Sequence, residues 1–252
     1  MREIEKLFQT TALLLFGKKL DGLDSYGDWL RSGFPSGIRL IKSVKSNKLV
    51  CVPPVYFFKL MENNMVTLDE SLELGRLKLT EEQVCNLTLE NASQLLSDIK
   101  TTTCEIIYGQ NLGTEECAGY GPTQHCYRSV FNWFAKHNGY AFMARTCESI
   151  FGCSNVLDCQ FSMRCFNSAK LVRCFEVADS NNCKDSYFCY NSENLDNCMF
   201  CFNTKSKRYA IANVEVGKEK YLEIKAKVIA QLFSELEKTK KLKYGIFNLA
   251  SF

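Results

Sequence analysis

The sequence predicts an α+β protein: a mixed α/β N-terminal region, a narrow parallel β-solenoid of five to six 12-residue coils, and a capping C-terminal helix. Three observations carry this expectation. Nine cysteines from Cys147 to Cys201 are all separated by multiples of three, an agreement that chance gives about once in 6,500 trials. Upstream, runs of helical and alternating periodicity are broken by Gly- and Asn-rich turns. Downstream, Gly217 introduces a lysine-rich amphipathic stretch. The expected divisions are 1–139, 140–216 and 217–252.

In chain order, residues 1–16 read as a helix with Ile4, Leu7 and Phe8 on one face, ending near Gly17. A turn-rich stretch follows over 18–37. IRLIKSVK and KLVCVPPVYFF suggest a strand pair turned at Ser46-Asn47. Thr80-Glu81-Glu82-Gln83 reads as a capping box opening a helix to about Ile99. Residues 101–122 are loop or short strands. Thr123 is expected to cap a second helix, with Cys126, Val130, Phe131 and Phe134 inward and Asn138-Gly139 at its end. Tyr140–Met143 then feeds the first coil.

Written in twelves from Cys147, the segment is CESIFGCSNVLD, CQFSMRCFNSAK, LVRCFEVADSNN, CKDSYFCYNSEN and LDNCMFCFNTKS, with a decayed unit KRYAIANVEVGK after it. Positions one, four, seven and ten hold only small or apolar residues. In a stacked coil residue i lies above i+12, so each position becomes a ladder. Inward ladders three residues apart require a bend between them, because a straight strand alternates with period two. Twelve residues per turn leave an interior for Cys, Ser, Val and Ala. Position nine, Asn155, Asn167, Asp179, Asn191 and Asn203, suits tight turns. Position five, Phe151, Met163, Phe175, Tyr187 and Met199, is too bulky for that interior. It is expected either to pack under the N-terminal region or to form an outward, partner-binding stripe.

The inward spacing, Cys at positions one and seven with small residues at four and ten, resembles the beetle antifreeze solenoid, which also has 12-residue coils. The resemblance covers about 60 residues and concerns architecture. An ice-binding face needs Thr on both sides of the first Cys; here Glu148, Gln160, Val172, Lys184 and Asp196 stand on one side, so that activity is not implied. The segment from Cys198 to Asn213 also resembles the end of uncharacterised Cys-rich repeat proteins of uncultured bacteria and archaea.

Positions one and seven change together in four coils: Cys147/Cys153, Cys159/Cys165 and Cys183/Cys189 are Cys at both, and Leu171/Val177 is apolar at both, while Leu195/Cys201 is mixed. These six cysteines are disulfide candidates. Free thiols packed as small hydrophobes are the alternative. Cys198-x-x-Cys201 is a single CxxC, whereas a structural zinc site needs two such pairs or a Cys/His set.

Glu3 and Glu5 stand where a secretory leader is basic, and no stretch approaches the ~20 apolar residues of a membrane span, so the expected compartment is the cytoplasm. A net charge of +3 over 252 residues does not argue for nucleic acid. His125 and His137 are the two histidines; a Cys–His pair can be drawn from Cys126 or Cys117 with His137. There is no phosphate loop and no HExxH motif, and no cofactor is expected.

The apolar tail from Tyr244 to Phe252, with Phe247 and Phe252, either folds back or docks on another subunit. The expectation is a non-enzymatic structural or protein-interaction component that binds a protein partner or self-assembles, in a virion or a cellular complex. The alternatives are a thiol-dependent metal-binding or redox protein, and an enzyme with its site in the N-terminal region.

Overall fold

A computed structural model describes residues 2–252 except 33–37, 149, 155, 156, 161, 167, 168 and 250–252; for 145, 146, 148, 153, 154, 157–160, 165, 166 and 169–171 it describes the backbone alone. Its helices are α1 (Glu3–Phe16), α2 (Gly27–Arg31), α3 (Tyr56–Leu60), α4 (Leu68–Leu74), α5 (Glu81–Cys85), α6 (Leu89–Leu95) and α7 (Lys218–Thr239). The chain forms two compact units, one of 1–36 with 108–252 and one of 37–107.

In the first unit a three-residue rule builds the solenoid. Arg173, Glu176, Asp179 and Asn182, at positions three, six, nine and twelve of one coil, have φ of 51, 53, 45 and 51°. Asp185, Phe188, Asn191 and Asn194 repeat this in the next coil at 50, 52, 47 and 55°. Each left-handed residue bends the chain, and four bends close a coil. A left-handed L-residue costs roughly 1–2 kcal/mol, which hydrogen bonds between coils offset: Phe175 N donates to Ser186 O at 3.0 Å, Lys184 N to Leu195 O at 2.8 Å and Asp185 N to Val172 O at 3.0 Å.

The twelve-residue register is seen in the parallel pairings Cys147 with Cys159, Val177 with Cys189, and Cys198 with Ala210. The same register runs further upstream than expected, pairing Asn111 with Thr123, Gln124 with Lys136 and Trp133 with Arg145. The stack therefore begins three coils ahead of Cys147. The helix expected from Thr123 is instead the strands Thr123–Tyr127, Val130–Trp133 and Lys136–Phe142. Its apparent helical face arose because a period of three lies close to 3.6 over a short stretch. In these early coils the interior is more polar. Ser129, Asn132 and Asn138 are fully buried, and Asn138 donates to Asn132 at 3.2 Å.

Inside the later coils Cys174, Val177, Cys183, Cys189, Leu195, Cys198 and Cys201 form one cluster with Cys147 and Ile150. Outside, the position-five ladder meets α1, α2 and α7. Phe151, Met163, Phe175, Tyr187 and Met199 are at most 2% exposed and share a core with Phe8, Phe16, Trp29, Tyr221 and Leu236. Of the two expectations for this ladder, burial under the chain itself is the one found. Phe8 meets Phe151 edge-on at 5.3 Å and Phe16 meets Phe175 at 5.2 Å, a geometry worth about 0.5–1.5 kcal/mol beyond burial. Tyr187 Oη donates to Leu15 O at 2.9 Å. Nearer the first coils, Asp24 accepts from Tyr127 Oη at 2.9 Å, Tyr140 Oη at 2.7 Å and Arg2 at 2.7 Å. Burial works against that charge, but the three donors outweigh it and hold the carboxyl below its usual range.

The C-terminal helix lies along this face, and the edge of the last rung, Lys205–Ile211, is met by the residues between them. Val214–Glu215 pairs back antiparallel, Glu215 Oε1 accepts from Arg208 N at 3.0 Å, and Asn213 bonds both the N–H and the C=O of Phe202. Such satisfaction removes an edge that would otherwise invite strand pairing. Past α7 the tail folds back. Ile246 N donates to the fully buried Glu176 at 2.9 Å, and Glu176 is paired with Arg164 at 3.1 Å.

The second unit holds the expected hairpin, Arg39–Lys42 antiparallel to Leu49–Val52. Pro53-Pro54 ends the second strand, so Tyr56–Leu60 becomes helix. Its core is Val50, Val52, Met65 and Cys104. Thr80 does form the expected capping box with Gln83, but the helix ends at Cys85 and a second box, Thr88 with Asn91, opens α6.

Candidate functional site

The first coils carry solvent-facing aromatic surface. Their corners and outer ladders place Phe131, Trp133, Phe134, Phe142 and Met143 on successive rungs. Trp133 stacks on Tyr108 at 5.4 Å and 26°, and Phe131 meets Phe142 edge-on at 6.1 Å. Phe134, at a left-handed corner with φ 54°, is 66% exposed. Beside it lies a pocket of about 460 Å³ lined by Leu112, Pro122 and Phe134 and by the polar Gln110, Gln124 and Lys136. Asn111 also borders it, but its amide is committed: Oδ1 accepts from Thr123 N at 2.9 Å and Nδ2 donates to Tyr108 O at 3.1 Å. Apolar and aromatic side chains beside a few polar groups are the usual lining of a recognition pocket.

A second arrangement lies inside the later coils. Cys183 donates to Asn181 O at 3.6 Å, Cys189 to Tyr187 O at 3.4 Å, Cys198 to Lys207 O at 3.3 Å and Cys201 to Met199 O at 3.5 Å. Burial pushes the Cys183 thiol up to about 11.

The remaining sequence candidates fall as follows. Among the disulfide candidates Cys183 and Cys189 are thiols bonded to carbonyls, Cys147 is buried in the interior cluster, and the side chains of Cys153, Cys159 and Cys165 lie outside the described residues. Phe247 is 58% exposed on the folded-back tail, and Phe252 lies outside the described residues. Cys126 points into the coil, giving its hydrogen to Gln124 O and Ala135 O, and burial pushes it up to about 12. His125 and His137 stack on each other at 5.5 Å. The Cys126 hydrogen thus goes to backbone carbonyls. Among the described residues no group of three His, Cys, Asp or Glu is placed to hold a metal ion, and no helix is long and apolar enough to cross a membrane.

Sequence reasoning missed the Phe134 pocket, although the signal was present. Counting back in twelves puts Asn111, Thr123 and Ala135 at position one and Thr114, Cys126 and Asn138 at position four, nearly all small. The corner residues, Phe134 among them, follow from that register. No family model, no curated protein and no solved structure matches the chain.

Proposed function

We propose that this chain is a non-enzymatic interaction protein whose early coils bind a protein partner. The pocket beside Phe134 carries the reading. A large ring stands in water at a strained corner, flanked by apolar Leu112 and Pro122 and by polar Gln110, Gln124 and Lys136. An aromatic centre within a polar rim is the anatomy of an interface hot spot. The rest of the first unit supports it as a rigid frame, because α1, α2 and α7 pack along one side of the coils while Phe134 stands outside that core. Membership of a larger assembly, viral or cellular, extends the same reading.

The test places a photo-crosslinking residue at Gln124, with and without Phe134→Asp, in extract of the source cells and at increasing concentration of the pure protein. A discrete adduct to one partner, or to a second copy, that drops at least tenfold in the Phe134→Asp variant is expected. Adducts unchanged by that substitution, in protein with an unaltered circular dichroism spectrum, refute the assignment of the surface.

A further inference from the structure

The two ends of the solenoid are finished differently. At the last rung Val214–Glu215, the Glu215 carboxylate and Asn213 take up backbone groups that otherwise stand open. The first rung is paired on one side. Asn111–Leu112 pairs with Thr123–Tyr127, Glu115 bridges Tyr127, and Ala118–Gly121 pairs with Val130–Trp133; among the described residues no strand pairs with their other side. The coil-to-coil rule says which groups this leaves. Asp185 N and Asn194 N, at positions three and twelve, donate to the rung before, and Leu195 O, at position one, accepts from it. Their counterparts in the first rung are the N–H groups of Gly113 and Gln110 and the C=O of Asn111, with no rung before them. Just upstream, Asn111 Nδ2 already takes the carbonyls of Tyr108 and Gly109 at 3.1 and 3.3 Å, so the open stretch is Gln110–Gly113. Leu112 within it is 58% exposed, and Gly113 and Glu115 face solvent. A row of N–H and C=O groups at strand spacing is best matched by another extended backbone.

We propose that this edge takes an extended segment of the partner protein as an added strand, parallel to Asn111–Leu112, with an apolar residue on Leu112 and a Lys or Arg three places later on Glu115. The proposal rests on the reading of the Phe134 pocket as the partner-binding surface, since Gln110 and Leu112 belong both to that pocket and to the open edge. Charge narrows the occupant. Within the stack, charged residues one rung apart at the same position pair with opposite sign: Glu116 with Arg128 at 2.7 Å, Arg173 with Asp185 at 2.7 Å, Glu193 with Lys205 at 2.9 Å and Asp196 with Arg208 at 3.2 Å. On the rung after Glu115, its position is held by Tyr127. A cation in that ladder therefore comes from the open side. The added strand continues the stack by one rung. Its apolar residue gives its N–H to Asn111 O, as Lys184 N gives to Leu195 O, and covers Leu112.

The experiment selects a displayed library of random short peptides on the full chain and measures the enriched peptides by fluorescence anisotropy. Sequences with an apolar residue followed three places later by Lys or Arg are expected, and the Glu115→Lys variant, with an unaltered circular dichroism spectrum, turns that preference to Asp or Glu. N-methylation of the apolar residue, whose amide meets Asn111 O, weakens binding roughly tenfold, whereas N-methylation of the next residue, whose N–H points away from the rung, changes it less than about twofold. Phe134→Asp tells the two readings apart. Binding that ignores N-methylation but falls with Phe134→Asp keeps the pocket and overturns strand addition. Binding that obeys the N-methylation pattern and is unmoved by Phe134→Asp keeps strand addition and removes the pocket. A library with no enrichment, enrichment of the reverse order with the basic residue first, or a dimer of the pure chain that excludes the peptides, which assigns the edge to a second copy, overturns the proposal.

Discussion

Gly152 offers a test of how α2 sits on the solenoid. It is the sixth residue of its coil, at φ +81°, and a Cβ placed on it would stand 2.3 Å from the carbonyl oxygen of Leu30 and 3.0 Å from the carbonyl carbon. Ordinary contact requires a retreat of about 1 Å by a backbone that is itself packed, and such overpacking costs about 1–3 kcal/mol. The left-handed backbone adds roughly 1–2 kcal/mol for an L-residue. Gly152→Ala is therefore expected to lose about 2–5 kcal/mol. Gly17 supplies the control. It has φ +74° at the end of α1 and nothing within 4 Å of its Cβ position, so Gly17→Ala should lose only the backbone part, about 1–2 kcal/mol. Urea unfolding followed by Trp29 fluorescence, in a Trp133→Phe background, measures both. Equal losses in the two variants would refute the close approach of α2 to the coil.

Other expectations follow from single contacts. Glu176→Gln removes the charge that is paired with the buried Arg164, and urea titration should show a loss of about 3–5 kcal/mol; faster amide exchange at Ile246 should accompany it. Tyr187→Phe strands the carbonyl of Leu15 and should cost about 1 kcal/mol by the same titration. In the second unit, hydrogen bonds from Ser43 Oγ and Thr67 N hold the Glu70 carboxyl down at about 2. A lowered folded-state value means the stabilisation is complete above the unfolded value of about 4.3 and fades as pH falls from there towards 2. Acid titration of the 37–107 signals should show that slope, and Glu70→Gln should flatten it.

The solenoid was legible because its interior is too narrow for anything but small side chains, so sulfur marked the inward positions. Where Thr123, Ala135, Asn138 and Ala141 take those positions, the same rule held without the marker, and Cys126, Val130 and Phe134 mimicked a helical face instead. The corners were only half legible. Asn191 and Asn203 announce left-handed backbone, and Asn191 does donate to Asn203 at 2.8 Å, but Glu176, Phe188 and Tyr140 adopt the same conformation because the closed coil imposes it on whatever residue arrives there. Local preference cannot reveal a conformation enforced by the stack. The pocket beside Phe134 depended on that missed register. The thiol cluster was legible in part, since Cys198-x-x-Cys201 stood out, while the place of Cys189 in the same buried cluster needed the coil-to-coil alignment.

The lashing of α1 and α7 across the coils also has a mechanical meaning. The hydrogen bonds of a solenoid run along its axis, so a pull on its two ends loads them one rung at a time and a bare stack peels like a spring. Here Phe8 and Phe16 seat α1 on the rungs of Phe151 and Phe175. At the other end Tyr221 packs on Tyr209, while Lys240, beyond α7, bonds Tyr26. The helices act as splints that share the load among several rungs, so the rod should yield in one abrupt step where it is splinted and gradually where it is not.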